Sequence, residues 1–390
     1  MTGNSIFTDN SAIQGGGIDA INSNLDFAGN KTFGINSATH GGGIRAINCT
    51  LCFIGNSTFG NNSAAISGGS VNTFSSTLNF CGNISFINNS AVFGGGISVL
   101  DSTLNVTGNT AFRINNEEYH GGSIYALKST LNIIAYSVGN SREYADCSSY
   151  ALLFTHNSAE ILGGAVYSLD STLTFEGCNT FCGNSVKYYG GGVYSQNSTL
   201  KFSGNTNFSS NFVQYNGGGL HGLGMTLYLS GIGSFTANTA GRGGAEYLAN
   251  SFIFLSRNTT VIMNNNSATE YGGAVYVEDS NPITYCTSEQ LVLEKCFLEI
   301  YELFEIPHAT SSNFTQAVIA YYNIYIHFYN NHAEIAGSAV YGGLVDICRI
   351  RIDYKSTNGI GFHFLIMNDV LNIELEANSV SSHSVSGVPV

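Results

Sequence analysis

The chain has 390 residues, of which 43% are hydrophobic, so it carries enough apolar side chains to build a folded core. Only 10% of the residues are charged, against roughly 25% in a typical soluble domain, which argues against long amphipathic helices on the surface. The net charge of −13 argues against a partner such as nucleic acid, whose binding depends on neutralising phosphates.

A repeat of 26–27 residues runs through most of the chain. Each period starts with a Gly pair and continues with large apolar residues at fixed offsets, then a Phe, and an Asn three places after that Phe. In the first full period these positions are Gly15, Ile18, Leu25, Phe27, Phe33 and Asn36. Such self-similarity predicts a solenoid in which equivalent residues of successive periods stack on one another.

Each period holds three short stretches in which apolar and polar residues alternate, as strands do. Turn residues separate them: the Gly pair, a Gly-Asn pair such as Gly29-Asn30, and the Asn that follows Phe, because Gly and Asn tolerate positive φ. We therefore predict an all-β fold, a single-stranded parallel β-helix of about 11–12 coils with three short strands per coil. A leucine-rich repeat also has this period, but its helical half is incompatible with the Gly and β-branched residues found here.

The repeat predicts a β-helix domain over residues 1–345 with insertions near 134–153 and 285–322, followed by a C-terminal flank at 346–390 of uncertain fold. The first residues read as the tail of a coil, and they lack the basic start and apolar segment of a signal peptide. We expect a chain truncated at its N-terminus. No apolar run is long enough to predict a membrane-spanning segment.

Nine cysteines are present, and the pair Cys49-x-x-Cys52 lacks the second half of a zinc site. No metal or other cofactor is predicted. Cys286 and Cys296 bracket a short segment of the second insertion, and we predict that they form a disulfide in an oxidising compartment. Twelve Asn-x-Ser/Thr triplets indicate a secreted glycoprotein.

One position of the repeat, four residues after the first Gly, is aromatic in coil after coil. It is occupied by Tyr125, Tyr167, Tyr194, His221, Tyr247, Tyr276 and Tyr341. Because the preceding residue is the inward Ile, Val or Leu, we expect these rings to face solvent as a ladder. Two interpretations stay open: the ladder binds a glycan or a protein by ring stacking, or it only stabilises the sheet.

The recurring pair of motifs, GG[A/G/S][I/V/L] and FxxN, resembles the chlamydial polymorphic outer-membrane-protein repeats over roughly residues 4–345. The resemblance implies a right-handed β-helix of the pectin-lyase-like class, and it implies a surface adhesin, as the bacterial members are.

These observations predict a non-catalytic extracellular or cell-surface protein with a structural or adhesive role and with glycans or cell-surface proteins as partners. The alternative is a polysaccharide lyase or glycoside hydrolase of the pectin-lyase-like class. Such an enzyme needs carboxylates clustered on adjacent coils beside Arg, Lys or Ca²⁺. The sequence contains no Asp-Asp pair and no Arg-x-Lys, so we do not predict an enzyme.

Overall fold

A computed structural model describes residues 1–135, 151–256 and 259–278, and shorter stretches at 283–286, 325–335, 338, 340–342, 345–347, 351–355 and 362–364. No residue in these ranges is helical. The strands stack in parallel into three long sheets, here numbered 1 to 3 in the order in which each coil visits them after its Gly pair.

The strands of each sheet lie one coil apart in sequence. Sheet 1 consists of Ile18–Ile21, Ile44–Ile47, Val71–Phe74, Ile97–Leu100, Ile124–Leu127, Val166–Leu169, Val193–Gln196, Leu220–Leu223, Glu246–Ala249, Val275–Glu278, Val340–Gly342 and Phe362–Phe364. Sheet 2 consists of Ser5–Thr8, Asn24–Ala28, Lys31–Gly34, Thr50–Ile54, Ser57–Gly60, Thr77–Cys81, Ile84–Ile87, Thr103–Thr107, Thr110–Arg113, Thr130–Ile134, Leu152–Thr155, Thr172–Cys182, Thr199–Ser209, Thr226–Thr236, Phe252–Leu255, Thr260–Asn264, Ile283–Cys286, Tyr325–Tyr329, Val345–Ile347 and Arg351–Lys355. Sheet 3 consists of Ser37–His40, Ser63–Ser67, Ser90–Phe93, Asn116–His120, Ser158–Ala159, Ser185–Val186, Phe212–Val213, Thr239–Arg242, Ser267–Tyr271 and His332–Ala333.

The coil is the building unit of this fold. Ten coils in the described ranges contribute strands to all three sheets, and sheet 1 holds twelve strands. Each strand pairs in parallel with the strand one coil earlier and one coil later, for example Ile44–Ile47 with both Ile18–Ile21 and Val71–Phe74. The predicted single-stranded parallel β-helix with three strands per coil is therefore confirmed.

The corners differ from the prediction in two places. The Asn of FxxN is not the left-handed residue, since the residue before it has positive φ, as in Ile35 (55°) and Asn61 (55°). The Gly-Asn pair is a bend inside sheet 2, and in Thr199–Ser209 the strand runs through it as one segment of 11 residues. The corner between sheets 1 and 2, which the sequence pattern did not predict, lies at positions such as Asn22, where φ is 49°.

The interior is filled by columns of identical residues. The Phe column contains Phe33, Phe59, Phe86, Phe112, Phe154, Phe181, Phe208 and Phe235, all buried. Neighbouring rings in the column are stacked with centroids 4.6–4.8 Å apart. Because every ring covers the ring below it, a coil buries its apolar face only when its neighbours are present.

A column of buried amides, here called the Asn ladder, closes the corner between sheets 2 and 3. Its members are the exposed Asn10 and the buried Asn36, Asn62, Asn89, Asn115, Asn157, Asn184, Asn211, Asn238, Asn266 and Asn331. The Nδ2 of Asn184 donates to Asn211 Oδ1 (3.0 Å) and to the carbonyl of Phe154 (2.9 Å). Its Oδ1 accepts from the backbone N–H and the side chain of Asn157, both at 3.0 Å. This network explains why the repeat requires Asn after Phe.

The stack extends beyond residue 345. Arg351–Lys355 pairs with Tyr325–Tyr329, and Phe362–Phe364 pairs with Val340–Gly342. Strand pairing also continues on both sides of residues 136–150, because Thr110–Arg113 pairs directly with Leu152–Thr155. The chain around that point therefore keeps the register of the repeat.

Candidate functional site

All seven predicted ladder residues lie in one column of sheet 1. The register pairs Tyr125 with Tyr167, Tyr167 with Tyr194, and so on to Tyr276 with Tyr341. The rings from Tyr125 to Tyr276 are stacked, with neighbouring centroids 4.6–5.5 Å apart and interplanar angles of 2–19°. For Tyr341 only the backbone placement is described. The sequence offset therefore located a continuous aromatic ladder.

The prediction that these rings face solvent is wrong. Tyr167 is 6% exposed, Tyr194 5%, His221 6% and Tyr247 4%, while Tyr125 and Tyr276 are half-buried. The rings do lie beside the inward apolar residues, as expected from strand alternation. A second row of side chains covers them on the outer side, and this row was missed in the sequence.

This second row, here called the flanking row, consists of the residues directly before each Gly pair. They are Gln14, His40, Ser67, Phe93, His120, Leu162, Tyr189, Asn216, Arg242 and Tyr271, bridged from coil to coil. The ring of His120 lies 4.9 Å from that of Tyr167, and Tyr189 lies 5.1 Å from His221. The constant spacing to the Gly pair was a usable signal, but the changing residue type concealed it.

Burial makes the ladder electrically neutral near pH 7. It lowers the pKa of His221 to about 3, so this imidazole carries no charge between its two tyrosine neighbours. Burial also raises the pKa of Tyr167 and Tyr194 above the usual value. The hydroxyl of Tyr194 donates to Gln196 Oε1 at 3.0 Å. The ladder thus packs as a second small core, in which the buried Nδ1 of His221 has no hydrogen-bond partner among the described residues.

Most of the exposed aromatic rings lie at sheet 3, and Phe74, 44% exposed, ends a strand of sheet 1. Tyr119 is 42% exposed, Phe212 52% and Tyr215 44%. Tyr188 is half-buried; its ring stacks on Tyr215 with centroids 5.3 Å apart. We call Tyr119, Tyr188, Phe212 and Tyr215 the exposed aromatic patch. Tyr119, Tyr188 and Tyr215 share one offset, two residues before the Gly pair, but Ile161 interrupts the series, and the pattern was missed in the sequence.

One carboxyl group occupies a position of the apolar interior. Glu246 takes the slot that Leu220 and Val275 fill in the neighbouring coils, and it is 2% exposed. Its Oε2 has no hydrogen-bond partner in the part of the chain that the structure describes. Burial raises the pKa of Glu246 to about 8. No chemistry follows from a single carboxyl enclosed by hydrocarbon, but it affects stability.

The cysteines are divided between two states. Cys178 is disulfide-bonded, whereas Cys49, Cys52, Cys81 and Cys182 are free. The predicted pair of Cys286 and Cys296 lies outside the residues whose side chains are described. Over the described ranges, no three His, Cys, Asp or Glu residues are grouped so that they could hold a metal ion.

Residues 260–278 match the Chlamydia polymorphic membrane protein repeat. The matched segment contains the strand Thr260–Asn264, Asn266 of the Asn ladder and the Gly272-Gly273 pair. Asn266 and the Gly pair are the positions of the two linked motifs of a coil. The chain is a parallel β-helix in which residues 260–278 are similar to a polymorphic membrane protein repeat. No curated protein and no solved structure matches it.

The repeat of this chain separates structural residues from exposed ones. Its two motifs supply the Gly corner and the buried Asn, which hold neighbouring coils together. The exposed side chains that could meet a partner stand between those motifs, where the repeat does not fix the residue type.

Proposed function

We propose that this chain is a non-catalytic extracellular or cell-surface β-helix with a structural and adhesive role, which presents one face of a stiff rod to a glycan or a protein. The match to a membrane-protein repeat supports a location at the cell surface. Among the residues described, none belongs to a helix that is long and apolar enough to cross a membrane.

The exposed aromatic patch is the observation that carries this proposal. Tyr119, Phe212 and Tyr215 expose more than 40% of their surface, although the interior columns bury their rings completely or nearly so. Aromatic rings offer large contact areas with few rotatable bonds, so they are favoured where a surface binds sugars or proteins. Here they stand on a backbone that is hydrogen-bonded to the coils on both sides, which lowers the entropy lost on binding.

Two further features support an extracellular location. The disulfide at Cys178 is of a kind that persists in oxidising compartments. Several Asn-x-Ser/Thr acceptors, including Asn30, Asn56 and Asn83, lie exposed at bends of sheet 2, where a glycan would project away from the rod.

The test compares two double variants with matched surroundings. Tyr188→Thr/Tyr215→Thr removes the stacked pair of the exposed aromatic patch. The Tyr188 ring of this pair has Lys187 Nζ 5.1 Å from its centroid. Tyr228→Thr/Phe254→Thr removes a stacked pair on sheet 2. The Tyr228 ring of this pair likewise has a cation nearby, Lys201 Nζ at 5.7 Å from its centroid. Thr keeps the strand propensity, so the comparison isolates the rings.

We expect the first variant to lose retention on host cells and on glycan arrays, and the second to keep it, with both folded. Equal retention by the two variants and the unsubstituted chain would refute binding through the exposed aromatic patch. Retention that is absent in all three proteins would refute the adhesive role of this chain.

A further inference from the structure

A shallow groove of about 740 Å³ runs across sheet 3 beside the exposed aromatic patch. Its lining includes the small side chains of Ala64, Ala91 and Ala159, from coils on both sides of the coil that contains Glu117, and small side chains let an extended chain approach the sheet. The lining residues come from five consecutive coils, so the groove is about 20 Å long at the usual strand spacing.

The groove carries an excess of acid. Glu117, Glu118 and Glu160 line it, opposed by one cation, Lys187. Glu118 and Glu160 are exposed. The whole chain has a net charge of −13, so its long-range field adds to the local attraction for cations.

Glu117 is the exceptional residue of the groove. Neighbouring coils place Ala91 and Ala159 in the same slot of sheet 3, so the fold itself requires no carboxyl there. Glu117 is only 4% exposed; its Oε2 accepts from the Gly94 N–H at 3.2 Å, and its Oε1 has no hydrogen-bond partner among the described residues. Enclosing an incompletely paired carboxyl costs free energy that Ala would not.

The protonated state of Glu117 in the free protein is consistent with a cation-binding site. Burial raises its pKa to about 10, and the nearby Glu118 acts in the same direction, against the Gly94 hydrogen bond. The carboxyl is therefore neutral in the free protein near pH 7. An ammonium or guanidinium group placed at Oε1 would supply the missing partner and favour the ionised form, with the proton released to solvent.

We propose that this groove binds an extended protein segment that carries Lys or Arg, with Glu117 as the buried anchor and Glu118 and Glu160 as the outer contacts. The inference rests on the adhesive function proposed above and specifies its partner as a basic protein segment. Charge complementarity and the small Ala side chains of the lining favour such a segment over a neutral sugar, which would need no cluster of carboxyls.

The test uses the full chain and a short fluorescein-labelled peptide in which Lys alternates with Gly, followed by fluorescence anisotropy. A peptide in which Glu alternates with Gly is the control ligand. We expect the Lys peptide to bind, to weaken as salt is added, and to lose about tenfold in affinity in Glu117→Ala. That variant should fold, because Ala occupies the slot in the neighbouring coils.

Glu176→Ala is the matched control, since it removes one acid from an exposed position on sheet 2. It should leave the affinity within about twofold. Equal losses in Glu117→Ala and Glu176→Ala would mean that the peptide responds only to net charge, and would overturn the site. Absence of binding to the Lys peptide would also overturn it.

These outcomes are separable from those of the proposed function. If the Tyr188→Thr/Tyr215→Thr variant loses retention on glycan arrays while the Lys peptide does not bind, the adhesive function is supported and the basic protein partner is refuted. If Glu117→Ala loses the Lys peptide while both aromatic variants keep their retention, the groove stands without the exposed aromatic patch.

Discussion

The Asn ladder and the flanking row run through the same coils and are built by opposite rules. The Asn ladder uses one residue type in every coil, whereas the flanking row changes type at almost every step, from Gln14 and His40 to Arg242 and Tyr271. An Asn of the Asn ladder hydrogen-bonds to both neighbouring coils and to a backbone carbonyl. Few other side chains carry both a donor and an acceptor group at the same distance from the backbone. In the coils of the aromatic ladder a flanking residue such as His120 or Tyr189 covers a ring, whereas Ser67 accepts a hydrogen bond from Asn72 Nδ2.

This difference separates the rows that hold the rod together from the rows that are free to vary. A substitution in an invariant row disturbs contacts with the coils on both sides at once, so it also destabilises the neighbouring coil. A substitution in a variable row changes what the surface offers and leaves the stack intact. The contrast predicts a graded series of effects on stability.

The largest effect is expected for Asn184→Ala in the middle of the Asn ladder. The change leaves the Phe154 carbonyl and the Asn157 N–H without their side-chain partners in a buried corner. At about 1–3 kcal/mol for each of these two orphaned groups, we expect a loss of about 2–6 kcal/mol in the free energy of unfolding. Urea denaturation followed by circular dichroism measures it.

Asn197→Ala serves as the control for this change. Asn197 is an exposed corner residue with a φ of 48°, so its replacement tests backbone strain without removing a buried amide. We expect a loss of about 1 kcal/mol. Similar losses at the two positions would show that the Asn ladder carries no special share of the stability.

The second effect depends on pH and concerns Glu246, the one acidic exception to its apolar column in the described coils. Its pKa rises from an ordinary value of 4.5 when unfolded to about 8 when folded, so the folded state holds the proton more tightly. The stability is therefore greatest below pH 4.5 and is lost as the pH rises to 8, by about 4 kcal/mol. Above pH 8 this carboxyl adds no further loss.

Glu246→Leu tests this account, since Leu220 fills the same slot one coil earlier. We expect the variant to gain stability over the parent at pH 8 and to gain much less at pH 5. Glu117, whose pKa is also raised, leaves part of the pH slope in the variant. A gain that is the same at both pH values would contradict the assigned protonation.

An intermediate effect is expected for the aromatic ladder. Tyr167→Thr removes a ring that is 6% exposed and is stacked between Tyr125 and Tyr194. We expect a loss of about 2–3 kcal/mol, below that of an Asn-ladder substitution, because the flanking row can partly close the space. A loss under about 0.5 kcal/mol, measured by urea denaturation, would favour a ladder that is open to solvent.

The smallest effect is expected in the flanking row itself. Asn216→Ser exchanges one polar residue for another that already occupies the row at Ser67. We expect a change within about 0.5 kcal/mol in the free energy of unfolding. A loss as large as that of Asn184→Ala would abolish the distinction between invariant and variable rows.

The invariant rows are the part of this fold that sequence reasoning could predict. Leu25, Phe27 and Phe33 recur at fixed offsets, and the recurrence alone implies stacked parallel coils. The corner residues were assigned less well, because Ile35 and Ile114 adopt the left-handed conformation despite their β-branched side chains. Only the tertiary contacts of the neighbouring Asn explain why they are held there.

The candidate sites were less predictable for the same reason. The aromatic ladder recurs and was found, but its burial depends on side chains such as His120 and Tyr189, whose types do not recur. The groove was missed because Glu117 is a single charged residue in a column of Ala and Val. A departure from a repeat acquires meaning only when the structure shows what surrounds it.

The Asn ladder also gives the rod a direction. From Asn10 through Asn266 each side-chain amide donates to the Asn of the coil that follows, ending at Asn331, so the side-chain dipoles of the series point the same way along the axis. Aligned dipoles add, as the peptide dipoles of a helix do, and hydrogen bonds in a chain polarise one another. The β-helix is thus an electrically polar object whose two ends differ, and a coil added at one end must meet acceptors where the other end offers donors.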